Sequence, residues 1–134
     1  MIIITGSPAE TEKAGADFVS SLSAPAVVAL FGDLGAGKTC FVKGAAKKLG
    51  LAQEVNSPTY AIVNTYDGHI RITHMDAYRL KSEDELMGIG FDDYLAAGGW
   101  LFIEWPERIQ GLLPDNTVKV NFRITGEYER CIEY

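Results

Sequence analysis

An apolar run, Ala26 to Phe31, leads directly into "GDLGAGKT", residues Gly32 to Thr39, and an amphipathic segment then continues to Leu49. Three glycines and a lysine at such a junction weaken a strand and a helix alike, so packing does not account for them. The eight residues fit G-x-x-x-x-G-K-[ST], and they stand between a strand and a helix as that pattern requires. Glycine admits positive φ and lets the backbone approach an anion with no Cβ in the way. Successive amide hydrogens then converge on phosphate at the positive end of a helix. Asp33, Leu34, Gly35, Ala36, Gly37, Lys38 and Thr39 are therefore expected to cradle a triphosphate. Lys38 would reach its terminal phosphates and the Thr39 hydroxyl would ligate magnesium.

The rest of the chain reads as interleaved helices and strands. Met1 to Thr5 is a short β-branched run. Ser7, Pro8 and Glu10 combine an N-cap, a first-turn proline and a capping box, so a helix is expected from about Pro8 to Leu22. The uninterrupted apolar character of Ala26–Phe31 suits a strand covered on both faces. A helix from about Lys38 to Leu49 would stop at Gly50. "YAIVNTY" and "HIRITHMD" alternate around Asp67-Gly68 as a hairpin does. Ser82 and Glu85 form a second capping box for a helix to about Ala97. "WLFIE", residues Trp100 to Glu104, is a further apolar strand, and "TVKVNFRI" with "RCIEY" reads as a closing antiparallel pair. The expected class is α/β, a single domain over residues 1–134, with a mixed and mostly parallel central sheet between helical layers.

The formal charge of −6 over 134 residues opposes direct gripping of an RNA or DNA backbone, which relies on clustered Lys and Arg. Lys43, Lys47 and Lys48 offer at most a local patch. Cys40 and Cys131 lack metal-type spacing and read as free thiols. No apolar run approaches the roughly 18 residues that a bilayer span takes, and no signal peptide is recognisable, so a cytoplasmic location is expected.

A phosphate loop needs an acid at the end of a neighbouring strand. Asp76 ends "IRITHMD" and Glu104 ends "WLFIE", which places both at the carboxyl edge of the sheet, where open α/β folds bind ligands. One would serve magnesium and the other would orient water or sense the γ-phosphate. Thr59, after Ser57 and Pro58, resembles a switch segment in its placement. His74 shares a strand face with Asp76, and Arg79 lies just beyond.

Taken together and in this order, "GDLGAGKT-x-FVKG", "SPTY", "HMDAYR" and "EWPE" resemble the TsaE (YjeE) ATPases, which serve threonylcarbamoyl modification of adenosine 37 in bacterial tRNA. The resemblance spans nearly the whole chain. It implies a P-loop NTPase-like three-layer fold, ATP with magnesium, weak hydrolysis by the isolated protein, and action with the TsaB–TsaD complex, with tRNA met only through that complex. It also implies that Lys38 and Thr39 bind phosphate and magnesium, that Glu104 is a magnesium ligand and that Asp76 is needed for hydrolysis. Trp105 would lie near the nucleotide, Thr11 near the adenine, and Arg130 at the nucleotide. Cys40 departs from the family, which usually has a second threonine or serine there, so Thr39 alone is assigned to metal.

Two other readings compete. A small-molecule kinase would add an arginine-rich lid, and the five arginines here are scattered. A nucleotide-gated binding module would use occupancy without turnover.

Overall fold

The structure, a computed structural model, describes residues 1–51, 55 and 63–134. The elements run β1 Ile2–Thr5, α1 Pro8–Ser20, β2 Ala26–Phe31, α2 Lys38–Lys48, β3 Val63–Tyr66, β4 Ile72–Asp76, α3 Glu83–Gly88, α4 Phe91–Ala96 and β5 Trp100–Glu104. A 3-10 segment, Pro106–Leu112, then leads to β6 Val118–Ile124 and β7 Arg130–Glu133. The strands form one sheet in the order β1-β7-β6-β2-β5-β4-β3. Its four inner strands, β6, β2, β5 and β4, are mutually parallel. The flanking pairs β3–β4, β6–β7 and β1–β7 are antiparallel, so the parallel part is the centre of a mixed sheet.

Alternation along the inner strands divides the core. Val28, Leu30, Trp100 and Phe102 pack with Phe18, Phe41 and Val42 of α1 and α2. Leu101, Ile103 and Met75 pack on the other face with Leu86, Phe91 and Ile109 of α3, α4 and the 3-10 segment. Because each strand buries both sets, β2 and β5 read as unbroken apolar runs. Among the described residues no helix is long and apolar enough to cross a membrane.

Both capping boxes form. Ser7 Oγ accepts from the Glu10 amide at 3.2 Å, and Ser82 Oγ accepts from the Glu85 amide at 3.3 Å. The two glutamates reach back one residue beyond the cap, to the amides of Gly6 and Lys81. Helix α1 ends two residues earlier than its apolar period suggests, because Ser21 Oγ donates to the Phe18 carbonyl at 2.7 Å and closes it. Leu22 still packs on the core.

The single helix expected from Ser82 to Ala97 is in fact two. Gly90, at φ 87°, separates α3 from α4. Leu86 and Phe91 are both buried in one cluster, yet five residues of continuous helix would turn them about 140° apart. The break at Gly90 lets both reach the core.

Helices α1 and α2 approach at two glycines. A Cβ on Gly44 would stand 1.8 Å from the Glu12 carbonyl oxygen, and one on Gly15 would stand 2.0 Å from that of Phe41. An isolated helix gains about 1 kcal/mol from Gly→Ala, but here the obstacle is backbone that can yield only by separating the helices. Gly44→Ala is therefore expected to destabilise by about 3 kcal/mol, at the upper end of overpacking costs. Thermal denaturation checks this, with an expected fall in Tm of roughly 10 °C.

Candidate functional site: a phosphate loop facing two strand-end acids

The loop between β2 and α2 turns through Gly37, whose φ of 101° is left-handed and opens the helix. The first amide bond of that turn runs from Phe41 N–H to the Gly37 carbonyl at 3.0 Å. The amides of Lys38, Thr39 and Cys40 are thus not consumed by the helix and remain available to an anion. Lys38 is 4% exposed. Its Nζ donates to the Gly32 carbonyl at 2.6 Å and lies 3.9 Å from the centre of the Trp105 ring. Trp105 is the only non-glycine residue described with positive φ, at 57°, a conformation that costs about 1–2 kcal/mol for an L-residue. Tyr78 packs against the same indole at 5.1 Å, and the Arg108 guanidinium lies 5.5 Å over Tyr78.

Parallel pairing of β4 with β5 sets Asp76 opposite Glu104. Glu104 is buried, and its Oε2 accepts from Thr39 Oγ1 at 3.2 Å and lies 2.5 Å from His74 Nε2. Burial pushes this carboxyl up. The His74 hydrogen bond and charge, the Lys38 ammonium and the Thr39 hydroxyl outweigh that and hold it below the ordinary value. Asp76, half-buried, accepts the Tyr78 amide at 2.9 Å. Burial and the neighbouring Glu104 raise its pKa despite that amide, His74 and Lys38. Burial likewise lowers Lys38, with Glu104, Glu107, Asp76 and Asp33 opposing. The two acids are alike in sequence and pushed apart by their surroundings, the usual mark of divided roles.

These side chains line one cleft of about 240 Å³, with Leu34, Gly35, Gly37 and Cys40 completing its wall. A smaller cleft of about 140 Å³ lies across the loop and includes Ser7, Thr11, Tyr128 and Arg130. Arg130 Nε donates to the Gly35 carbonyl at 3.2 Å, while its Nη1 donates to the Gly126, Glu127 and Glu129 carbonyls. It ties the loop to the β6–β7 turn. Thr11 is buried beneath Gly37 and shares a 2.8 Å hydrogen bond with the Thr5 hydroxyl.

The structure thus gathers Lys38, Thr39, Asp76, Glu104 and Trp105 in one cleft and Thr11 and Arg130 beside it. Asp33 is exposed and Ala36 buried, and neither lines these two clefts; the Asp33 carbonyl accepts the Ala36 amide and shapes the loop. Thr59, with Ser57 and Pro58, lies outside the described residues. Arg79 is exposed, and Lys47 pairs with Glu12 at 3.2 Å across α1 and α2. The contact of His74 with Glu104 was not evident from sequence, where only its shared face with Asp76 was legible. The Tyr78 contact with Trp105 carried no sequence signal, since it joins a residue after β4 to one after β5.

Thr39 and Glu104 supply two hard oxygen donors side by side, which suits magnesium, an ion commonly held by one or two protein groups together with phosphates. Among the described residues no group of three or more His, Cys, Asp or Glu could form an all-protein metal cage.

Known proteins are similar to this chain along nearly its whole length. The family model described as "Threonylcarbamoyl adenosine biosynthesis protein TsaE" matches residues 5–132. A tRNA threonylcarbamoyladenosine biosynthesis protein TsaE from Treponema pallidum is 38% identical over 132 residues, covering 98% of each chain. The protein of the same name from Bacillus subtilis is 41% identical over 132 residues, covering 97% of this chain and 82% of its own. A crystal structure of Bacillus subtilis YdiB superposes with a TM-score of 0.80 at 34% identity, covering 98% of this chain and 82% of that one.

The divided electrostatics have a stability signature. Asp76 titrates above its ordinary value near 3.8 in the folded state, so its ionisation lowers stability as pH rises through that window, and the cost persists at neutral pH. Glu104 has the opposite sign: its stabilisation is present above its ordinary value near 4.5 and lost as pH falls through the lower folded value. In thermal melts without nucleotide, Asp76→Asn should therefore melt above the wild type near pH 7, and the gain should vanish near about pH 3. Glu104→Gln should melt below it near pH 7.

Proposed function

The chain belongs to the TsaE family, whose role lies in tRNA threonylcarbamoyladenosine biosynthesis, and from that membership we propose that it acts there as a magnesium-dependent ATPase. The observation that carries this reading is the convergence of Lys38 and Thr39 from α2 with Asp76 from β4 and Glu104 from β5 on one cleft. The loop amides and Lys38 would hold the β- and γ-phosphates through main-chain N–H groups and one charge. Thr39 and Glu104 would hold magnesium, which when bound neutralises charge on the phosphate oxygens.

Asp76 is the residue suited to orient the attacking water. It is half-buried, lines the cleft, and has the raised proton affinity that a base in such a site needs. As water adds to the γ-phosphorus it gives a proton to the Asp76 carboxylate, the bond to the bridging oxygen breaks, and ADP leaves with inorganic phosphate. Glu104 stays ionised and is occupied with Thr39 and His74. Trp105, over Lys38, and Arg130, on the Gly35 carbonyl, keep the cradle shaped for phosphate.

Homologues of TsaB and TsaD are the proposed partners, in the cytoplasm, with tRNA engaged through their complex. Leu34 within the loop, at 86% exposure, and Tyr128 beside it, at 71%, give a partner apolar contact beside the nucleotide. This also favours a second reading, in which occupancy of the cleft gates docking without turnover.

Two variants separate the readings. Lys38→Ala should abolish ATP binding by calorimetry and, with it, both roles. Asp76→Ala should bind ATP with affinity close to wild type and lose turnover about 100-fold, measured as phosphate release with TsaB and TsaD homologues present. Unchanged turnover in Asp76→Ala would remove it from the chemistry. Full tRNA modification by that variant despite lost turnover would favour the gating reading.

A further inference from the structure

We infer that His74 is a positioning residue that orients Glu104 for magnesium, a task that nothing in the loop motif announces. The inference rests on the magnesium–ATP reading above. His74 lies in β4 two residues before Asp76, and in the register of β4 with β5 it stands diagonal to Glu104, one step deeper in the sheet. The ring is completely buried. Nε2 meets Glu104 Oε2 at 2.5 Å, whereas Nδ1 is buried without a hydrogen-bond partner among the described residues. Among the described residues its one hydrogen bond is therefore with Glu104.

That arrangement is poorly suited to a merely structural histidine, which would satisfy both nitrogens or be replaced by an apolar side chain. It is well suited to fixing a carboxylate. An ionised Glu104 accepts only, so Nε2 carries the proton. His74 and Thr39 both bond to Oε2, which sets the rotation of the carboxylate and leaves Oε1 clear of both donors. Because Glu104 lines the cleft and His74 does not, the histidine acts on a bound ion only through Glu104. Outer-shell groups of this kind typically change metal affinity 10- to 100-fold.

The test compares wild type, His74→Gln and His74→Asn in the full chain. A glutamine amide nitrogen can stand about where Nε2 stands, while that of asparagine falls short, near Nδ1. Calorimetry with ATP is run in EDTA and across a magnesium titration. His74→Asn should need about tenfold more magnesium to reach half of the metal-dependent gain in ATP affinity, with affinity in EDTA unchanged, and His74→Gln should return to within about threefold of wild type. Wild-type magnesium dependence in both variants overturns the inference, as does an equal loss of affinity with and without metal. A wild type that binds no ATP, or binds it no better with magnesium, overturns instead the reading on which the inference rests.

Should neither variant fold, nitrogen NMR of the wild type decides. The chain has only two histidines, so His74 is readily told from the exposed His69. Its Nε2 should bear a proton and shift when magnesium is added to the ATP complex. A bare Nε2, or one unmoved by magnesium, overturns the assignment.

Discussion

Glu104 is 5% exposed, and a carboxylate held ionised so far from water is unfavourable by several kcal/mol unless donors and opposite charge surround it. Its partners come from distant parts of the chain: Thr39 and Lys38 at the start of α2, His74 in β4. They meet only because β5 lies between β2 and β4 in parallel register, with Leu30 and Asp76 both aligned to Glu104. The phosphate loop must also end where α2 can present Thr39 to that carboxylate. One buried charge therefore constrains the strand order, the register and the start of the helix together.

The two acids show how little sequence type decides about chemistry. Each ends a buried strand, and each is offset by the charges of Lys38 and His74. Glu104 has two side-chain donors and stays ionised easily; Asp76 has one backbone donor and a like charge beside it. Around them, the left-handed Trp105 turns its ring over Lys38 at the end of β5. That strained residue is held by its tilted contact with Tyr78, over whose ring Arg108 lies, and by the Lys38 ammonium over the indole.

Local signals were legible wherever one segment held all the information. Ser7 and Ser82 read as caps because capping is a contact within four residues. The bounds of β2 and β5 followed from their apolar runs, and the loop from the spacing of its glycines and lysine. The pattern after Ser82 reads as one helix, whereas Gly90 breaks it so that Leu86 and Phe91 are buried in one cluster, a demand set by the core. Arg130 was placed only by resemblance. Its hold on the Gly35 carbonyl joins residues 95 apart in the chain, and no periodicity encodes such a pair. The glycines of α1 and α2 carry the same lesson, because Gly44 is explained by the carbonyl of Glu12 and not by its own helix.

The amino-acid sequence by itself determined the strand–loop–helix unit, the acids that close two strands and the α/β class, since each rests on hydrogen bonding and hydrophobic period over a few residues. Tertiary structure alone decided that the strands carrying those acids lie side by side next to the loop, that the pKa values of Asp76 and Glu104 shift in opposite directions, and that His74 serves Glu104. Burial, register and the charge of distant neighbours are properties of the packed sheet, and they have no counterpart in the order of residues along the chain.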